Sequence, residues 1–402
     1  MSHSGAPLQG ITVLELGHIV AGPTAGQILA ELGAEVIKIE SVGGGDQARN
    51  MPGSIAAMFH FLNRNKQSVA LDLKGEGREV FLRMAASADV VVDNFAYQAV
   101  DRLGIGYPVV SELNPGLVWL SIKGFLPGPS EALPMLDELA QMAGGLAFMT
   151  GLPGKPMRAG ASLTDNAAAA YGVIGVLAAL FSRNANGGRG RHVTTGLYET
   201  CAYFVAQWMG AAQYSGEPSV PISVVRQDTR MGFSVYRLFD TADGSQVFIG
   251  IVSDAHWDRF CAEFGLAALH DDPRFADEAS RRLNRPALYE ALAGLVGGFT
   301  KQEAAARLRA AKIPFAPVNR PDELGADEHL AQSGQLVDVP LPNGVVGKAP
   351  KLPFRLGGHD MAVRNLAPAL GADTRAVLAR YGFSADEIAA LEEKGVIRAA
   401  AA

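Results

Sequence analysis

The 402 residues are 48% hydrophobic and 19% charged, with a formal net charge of −6. A chain of that length and apolar content can bury one large core and a second, smaller one. Its basic residues are scattered, which argues against a nucleic acid or an anionic membrane as partner. The two cysteines, Cys201 and Cys261, have neither metal-ligand spacing nor the density of a secreted disulfide scaffold. Reduced thiols in a cytoplasm, no metal site and small-molecule substrates are the expectation.

The opening MSHSGAPLQG lacks the basic and apolar regions of a secretory leader. ITVLEL after it alternates like a strand, TAGQILAELGA reads as a helix, and EVIKIE is strand-like again, which makes one β-α-β unit. SVALDL, GREVFLRMAASA, DVVVDNF and LVWLSIKGF continue the alternation. The fold class this predicts is α/β, with a parallel, helix-covered sheet over the first two hundred residues. A long apolar helix is expected from about Asn166. Its apolar run, residues 167–181, falls short of the roughly 20 residues of a bilayer span and is made of small side chains, so it reads as a buried helix.

NANGGRGRH is a breaker, and the turn-rich SGEPSVPISVV beyond it suggests a domain boundary near residue 220. YRLFDTADGSQVFIGIV looks like a hairpin, and HWDRFCAEFGL puts Trp257, Phe260, Cys261 and Phe264 on one helical face. Thr300 and Glu303 form a capping box, and the prolines of IPFAPVNRPDEL mark a second boundary near 325. The expected organisation is a large domain over 1–220, a small α+β domain over 221–325, and a segment, 326–402, that rejoins the large one. That last segment ends in two helices separated by Gly382, the second opened by a Ser384 and Glu387 capping box. Without a basic stripe, the two read as a packed surface pair rather than a DNA-reading unit.

The first βα turn, GHIVAGPTAG, has glycines at 17, 22 and 26, which is not the spacing that seats a dinucleotide pyrophosphate. Glu40 stands about where a ribose-binding acid would, but a lone acid at a strand end reads more simply as solvated. His18 follows a strand end, where ligands gather in open α/β sheets. The GGGD of residues 43–46 offers backbone N–H groups to an anion, or is simply a turn. Asp165, in GASLTDNAAAAYG, has two readings: an N-cap for the alanine-rich helix, or a carboxylate nucleophile kept ionised by the helix dipole in a partly dry pocket.

Several separated blocks together resemble the class III CoA-transferase family, which includes formyl-CoA:oxalate and carnitine CoA-transferases. They are LQGITVLELGHIVAGPTAGQILAELGAEVIKIESVGGGD, NRNKQSVALDLK, DNFAYQAVDRLGIGY, NPGLVWLSIKGF, GGRGRHV, HDDPRF, IPFAPVN and RYGFSADEIAALEEKGVI. The resemblance covers nearly the whole chain, and MRAGASLTDNAAAAYG is similar to the family segment whose aspartate is the nucleophile, which carries that role onto Asp165. It implies a Rossmann-like large domain with a smaller α+β domain, an interlocked homodimer, and acyl-CoA and a free carboxylic acid as substrates, with no prosthetic group.

The resemblance also implies CoA contacts at His18, Ile19 and Val20, at Leu71 and Lys74, and at Asn94, Phe95 and Arg102, with Lys74 and Arg102 suited to the CoA phosphates. Asp137 sits where related transferases carry a longer acid that helps position the acyl group. In VVRQDTRMGF, which stands in place of a glycine-rich loop, Arg226 and Arg230 are candidates to face an anionic substrate. The alternative is an α-methylacyl-CoA racemase of the same fold, but Leu136 stands where that family carries its histidine base. The expected activity is CoA transfer from an acyl-CoA, succinyl-CoA for choice, to a free acid through an aspartyl anhydride and an aspartyl-CoA thioester.

Overall fold

Apolar and β-branched runs separated by amphipathic helices build an open parallel sheet in this protein. The computed structural model describes residues 5–225 and 232–400. Six strands, β1 (Thr12–Leu16), β2 (Glu35–Glu40), β3 (Lys66–Leu71), β4 (Val90–Asp93), β5 (Val118–Lys123) and β6 (His192–Gly196), are mutually parallel in the order β3-β2-β1-β4-β5-β6. Near-continuous apolar strands of this kind require cover on both faces. One face packs Leu14, Leu16, Ile37, Val69 and Trp119 into one core, and the other packs Val13, Val36, Val90, Val118 and Leu120 into a second.

The chain divides into two compact units: residues 1–150, 156–219 and 325–402 make the larger, and residues 151–155 and 220–324 the smaller. The larger also holds a two-stranded ribbon of β10 (Leu336–Pro340) and β11 (Val346–Pro350). Its sheet is completed from far along the sequence: β12 (Ile397–Arg398) runs antiparallel to β3, and Asp373 accepts a hydrogen bond from the Ser68 backbone N–H, 305 residues away. The two helices around Gly382 are a packed surface pair, with Arg375, Arg380, Asp386 and Glu387 exposed on their outer faces. Val377, Leu378, Ile388 and Leu391 are buried in the first core.

In the smaller unit, β7 (Val235–Asp240), β8 (Gln246–Ile251) and β9 (Phe315–Pro317) form an antiparallel sheet. Trp257 and Phe260 of the helix Asp254–Phe264 fill its core with Ile249, Leu288 and Leu308. The capping box at Thr300 is present, as is the one at Ser384.

The helix Leu163–Arg183 starts three residues before the expected position and is 21 residues long. By length and composition alone it could cross a membrane, but its small-residue face lies on the sheet. A Cβ on Gly172 would come within 2.7 Å of Leu120 and one on Gly175 within 2.6 Å of Val193. Alanine and glycine are there to let the backbone approach β5 and β6 closely.

Candidate active site

The sheet reverses direction between β1 and β4: the chain moves outward from β1 to β2 and β3, then resumes on the other side with β4. Loops leaving the C-terminal ends of two such strands diverge and open a crevice. Asn94, just after β4, bridges it by accepting a hydrogen bond from the His18 N–H at 2.8 Å and donating one to the His18 carbonyl at 3.0 Å. Gly22 permits this approach, since a Cβ there would lie 2.6 Å from the Gly17 Cα and 3.0 Å from the Asn94 Oδ1. The rings of His18 and Phe95 stack, with centroids 4.8 Å apart and planes 7° from parallel. Burial, reinforced by the Lys38 charge, pulls His18 below its ordinary value, so the ring is neutral at pH 7.

Beneath that loop sits a buried ion cluster. Glu15, fully buried at the end of β1, pairs with Lys38 at 2.8 Å and Lys66 at 2.7 Å. Lys38 also donates to the Gly17 carbonyl at 2.7 Å and pairs with Asp46 at 2.8 Å. Asp46 accepts from the Ile19 N–H at 3.0 Å and the Ala48 N–H at 2.9 Å. Burial alone would raise the Asp46 carboxyl, but Lys38 and the Ala48 and Ile19 N–H groups together outweigh it and hold the group below the usual carboxylate range. Burial pushes Lys66 down to about 8 against the pull of Glu15. The cluster fixes residues 17 and 19 from below and holds Ile19, a β-branched residue, at φ 62°, a left-handed conformation that such side chains adopt only under constraint.

Two sequence expectations end in this cluster. Glu40 is no ribose acid: it takes two 2.7 Å hydrogen bonds from Arg49 and one of 2.6 Å from Ser68. Nor do residues 43–46 form an anion nest, because the Gly45 and Asp46 N–H groups are spent on the Ser41 carbonyl and the Glu40 carboxylate.

Asp165 lies in the first turn of the helix Leu163–Arg183. That helix packs on α1 (Ala21–Glu31), and Thr24 of α1 donates to Asn166 at 3.1 Å. Asp165 is not the N-cap. Ser162 holds that position and makes no side-chain cap, and the free N–H groups are capped from a distance by Asp137, at the start of the helix Asp137–Ala143. Its Oδ1 accepts from the Thr164 N–H at 2.8 Å, the Thr164 hydroxyl at 2.6 Å and the Asp165 N–H at 3.3 Å, while its Oδ2 accepts from Gln141 at 2.8 Å.

The half-buried Asp165 carboxylate accepts no hydrogen bond among the described residues. Burial first, and the Asp137 charge second, push it up to about 7, with Arg158 pulling the other way. The helix dipole therefore does not keep it fully ionised at rest; desolvation and a like charge win.

His18, Ile19, Val20, Asn94 and Phe95 thus gather at the sheet reversal, and α1 joins them to the helix that carries Asp165. Leu71 does not gather there. Its side chain is 1% exposed in the first core, which leaves only its backbone to meet a ligand. Lys74 and Arg102 are exposed, on the loop after β3 and at the end of the helix Ala99–Arg102. Arg226 and Arg230 lie outside the described residues. Among the described residues, no group of three or more His, Cys, Asp or Glu could hold a metal.

Sequence reasoning missed Lys38, Asp46 and Arg158. Only Asp46 left a signal, as the acid closing a glycine-rich turn. The arrangement suits nucleophilic acyl chemistry: a carboxylate without a hydrogen-bond donor among the described residues, on a helix that packs against α1.

The model of CoA-transferase family III matches residues 8–374. The chain is 30% identical to the succinate–glutarate CoA-transferase of Agrobacterium fabrum, over 94% of this chain and 96% of that one. It is 32% identical to the formyl-CoA:oxalate CoA-transferase of Escherichia coli, over 97% and 99%. Among solved structures, a CAIB/BAIF family protein from Brucella suis superposes with a TM-score of 0.82 at 30% identity, covering 94% of this chain and all of that one.

Proposed function

Since the chain belongs to CoA-transferase family III, we propose that it moves CoA from succinyl-CoA to a free dicarboxylic acid, with Asp165 as nucleophile. An Asp165 oxygen attacks the thioester carbonyl, the carbon–sulfur bond breaks, and an acyl-aspartyl anhydride and CoA thiolate result. The thiolate attacks the Asp165 carbonyl, the donor acid leaves as its carboxylate, and Asp165 now carries CoA as a thioester. The acceptor carboxylate attacks that thioester, giving a second anhydride. The returning thiolate takes the acceptor acyl group and frees Asp165. One thioester is exchanged for another, so no external energy source enters, and the enzyme lowers barriers by alignment and by N–H groups aimed at each oxyanion.

Asp165 itself carries this reading: a carboxylate without a hydrogen-bond donor, raised to about 7, is ionised enough to attack and is not held back by a partner. The loop of His18, Ile19 and Val20 with Asn94 and Phe95 would seat the CoA, and Lys74 and Arg102 would meet its phosphates.

The proposal includes a homodimer. Phe181 (92% exposed), Tyr214 (97%) and Tyr203 (69%) are large apolar side chains left in water. A groove of about 370 Å³ lined by Tyr171, Thr195 and Tyr203 lies in the same unit, and the buried Thr195 hydroxyl makes no hydrogen bond among the described residues. A second copy is the cover that fits. A cytoplasmic setting is supported by Cys201 and Cys261, both free and buried.

Incubation with succinyl-CoA and no acceptor, followed by borohydride reduction and peptide mass analysis, should mark Asp165. An unmodified Asp165 beside full turnover would overturn the reading, as would deuterium wash-in at the α-carbon of a 2-methylacyl-CoA without any acceptor acid, which would mark a racemase.

A further inference from the structure

Arg158 is a guanidinium that nothing described so far employs. It lies between the helix Asp137–Ala143 and the helix Leu163–Arg183, and its side chain is 39% exposed. Its Nε donates to the neighbouring Ala159 carbonyl at 3.0 Å. Its terminal nitrogens reach Asp137 only at 3.8 Å and Glu138 only at 3.6 Å, beyond hydrogen-bonding distance. Among the described residues, the four terminal N–H groups therefore have no acceptor, an open fork of the shape that binds a carboxylate through two parallel hydrogen bonds.

The charges around that fork are unequal in kind. Asp137 is already answered by the N–H groups of the long helix, the Thr164 hydroxyl and Gln141. Glu138 is 57% exposed and screened by water. Asp165 is the exception, an unpartnered carboxylate joined to Arg158 through Asp137, whose Oδ2 lies 3.8 Å from the fork and whose Oδ1 lies 3.3 Å from the Asp165 N–H. An incoming carboxylate meets the added repulsion of Asp165 while that group is free and ionised, and is relieved of it once the group is a thioester, because acylation removes its negative charge.

We propose that Arg158 is the clamp for the acceptor carboxylate, open to it only while Asp165 carries CoA. This rests on the nucleophile reading above. It adds an order of events: the donor reacts first, its acid departs, and the acceptor is admitted by the loss of one charge. With a dicarboxylic acceptor the fork holds the remote carboxylate through its two hydrogen bonds and leaves the other carboxylate to attack the Asp165 carbonyl, so each bond made and broken is one already described.

Two measurements test it, both at alkaline pH so that the free Asp165 is ionised. In turnover with succinyl-CoA and glutarate, Arg158→Met should raise the glutarate KM roughly 30–100-fold, and Arg158→Lys only a few-fold. The CoA adduct trapped on Asp165 from succinyl-CoA alone should form to the same extent in the variants as in the parent. In calorimetry, Asp165→Asn, which carries no charge there, should bind glutarate about tenfold more tightly than the parent, and Asp165→Asn with Arg158→Met should lose that gain. An unchanged glutarate KM in Arg158→Met, an equal loss of adduct formation, or identical glutarate binding by parent and Asp165→Asn would each overturn the clamp. Absence of any adduct in the parent would instead overturn the nucleophile reading.

Discussion

Two aspartates, Asp46 and Asp165, stand in the same unit and are both withdrawn from water, yet they hold opposite electrostatic states. Asp46 is ion-paired to Lys38 and accepts two backbone N–H groups, which hold it below the ordinary carboxylate range despite its burial. Asp165 has a like charge for a neighbour, no hydrogen-bond donor among the described residues, and a value of about 7. Desolvation acts on both; partners decide the outcome. One carboxylate serves as a fastener for the strained backbone at Ile19, while the other is left reactive at a cost in stability.

The contrast can be broken at either end. Asp165→Ala should lower turnover by about 10⁴-fold or more while leaving a cooperative thermal transition, as read by steady-state rates and a melting curve. Lys38→Met should do the reverse in kind. It strands Asp46 in a dry interior, leaves Glu15 with Lys66 alone, and should cost about 3–5 kcal/mol in chemical denaturation.

Asp165→Asn should make the protein more stable above pH 7, by about 1–3 kcal/mol after allowance for partial solvation. The sign follows from the raised value. The native state is favoured while Asp165 is protonated, and that advantage is lost as the pH climbs from the ordinary carboxylate value through about 7. A parent and a variant with parallel pH–stability curves would contradict this.

The smallest effect belongs to Asp137→Asn, which keeps an oxygen to cap the long helix but removes the like charge. The acid limb of kcat/KM for the donor, expected near pH 7 because only the ionised carboxylate attacks, should move to lower pH by about one unit. A limb that stays in place would mean burial alone sets Asp165.

The parallel sheet and both capping boxes were legible because their signals are local: a period along the chain, or a hydroxyl and an acid three residues apart. Asp165 stood out by type and position, but its environment did not. The cap that displaces it comes from Asp137, 28 residues upstream, and no spacing rule reaches that far. Glu40 reads as a solvated acid at a strand end for the same reason, since Arg49 and Ser68 engage it only once the strands are side by side. Arg158 carries no local signal in the sequence. Its unused terminal donors, beside Asp137 and Glu138, exist only in three dimensions.

The late strand β12 has a consequence for how the molecule is made. A chain emerging from the ribosome lays down β3 early, but the groups that cover it, from Asp373 to Arg398, follow some 305 residues later. Throughout that interval, the outer edge of β3 is a bare row of hydrogen-bonding groups, the kind of edge on which nascent chains associate. Synthesis of this protein should therefore lean on holding chaperones more heavily than its native surface suggests.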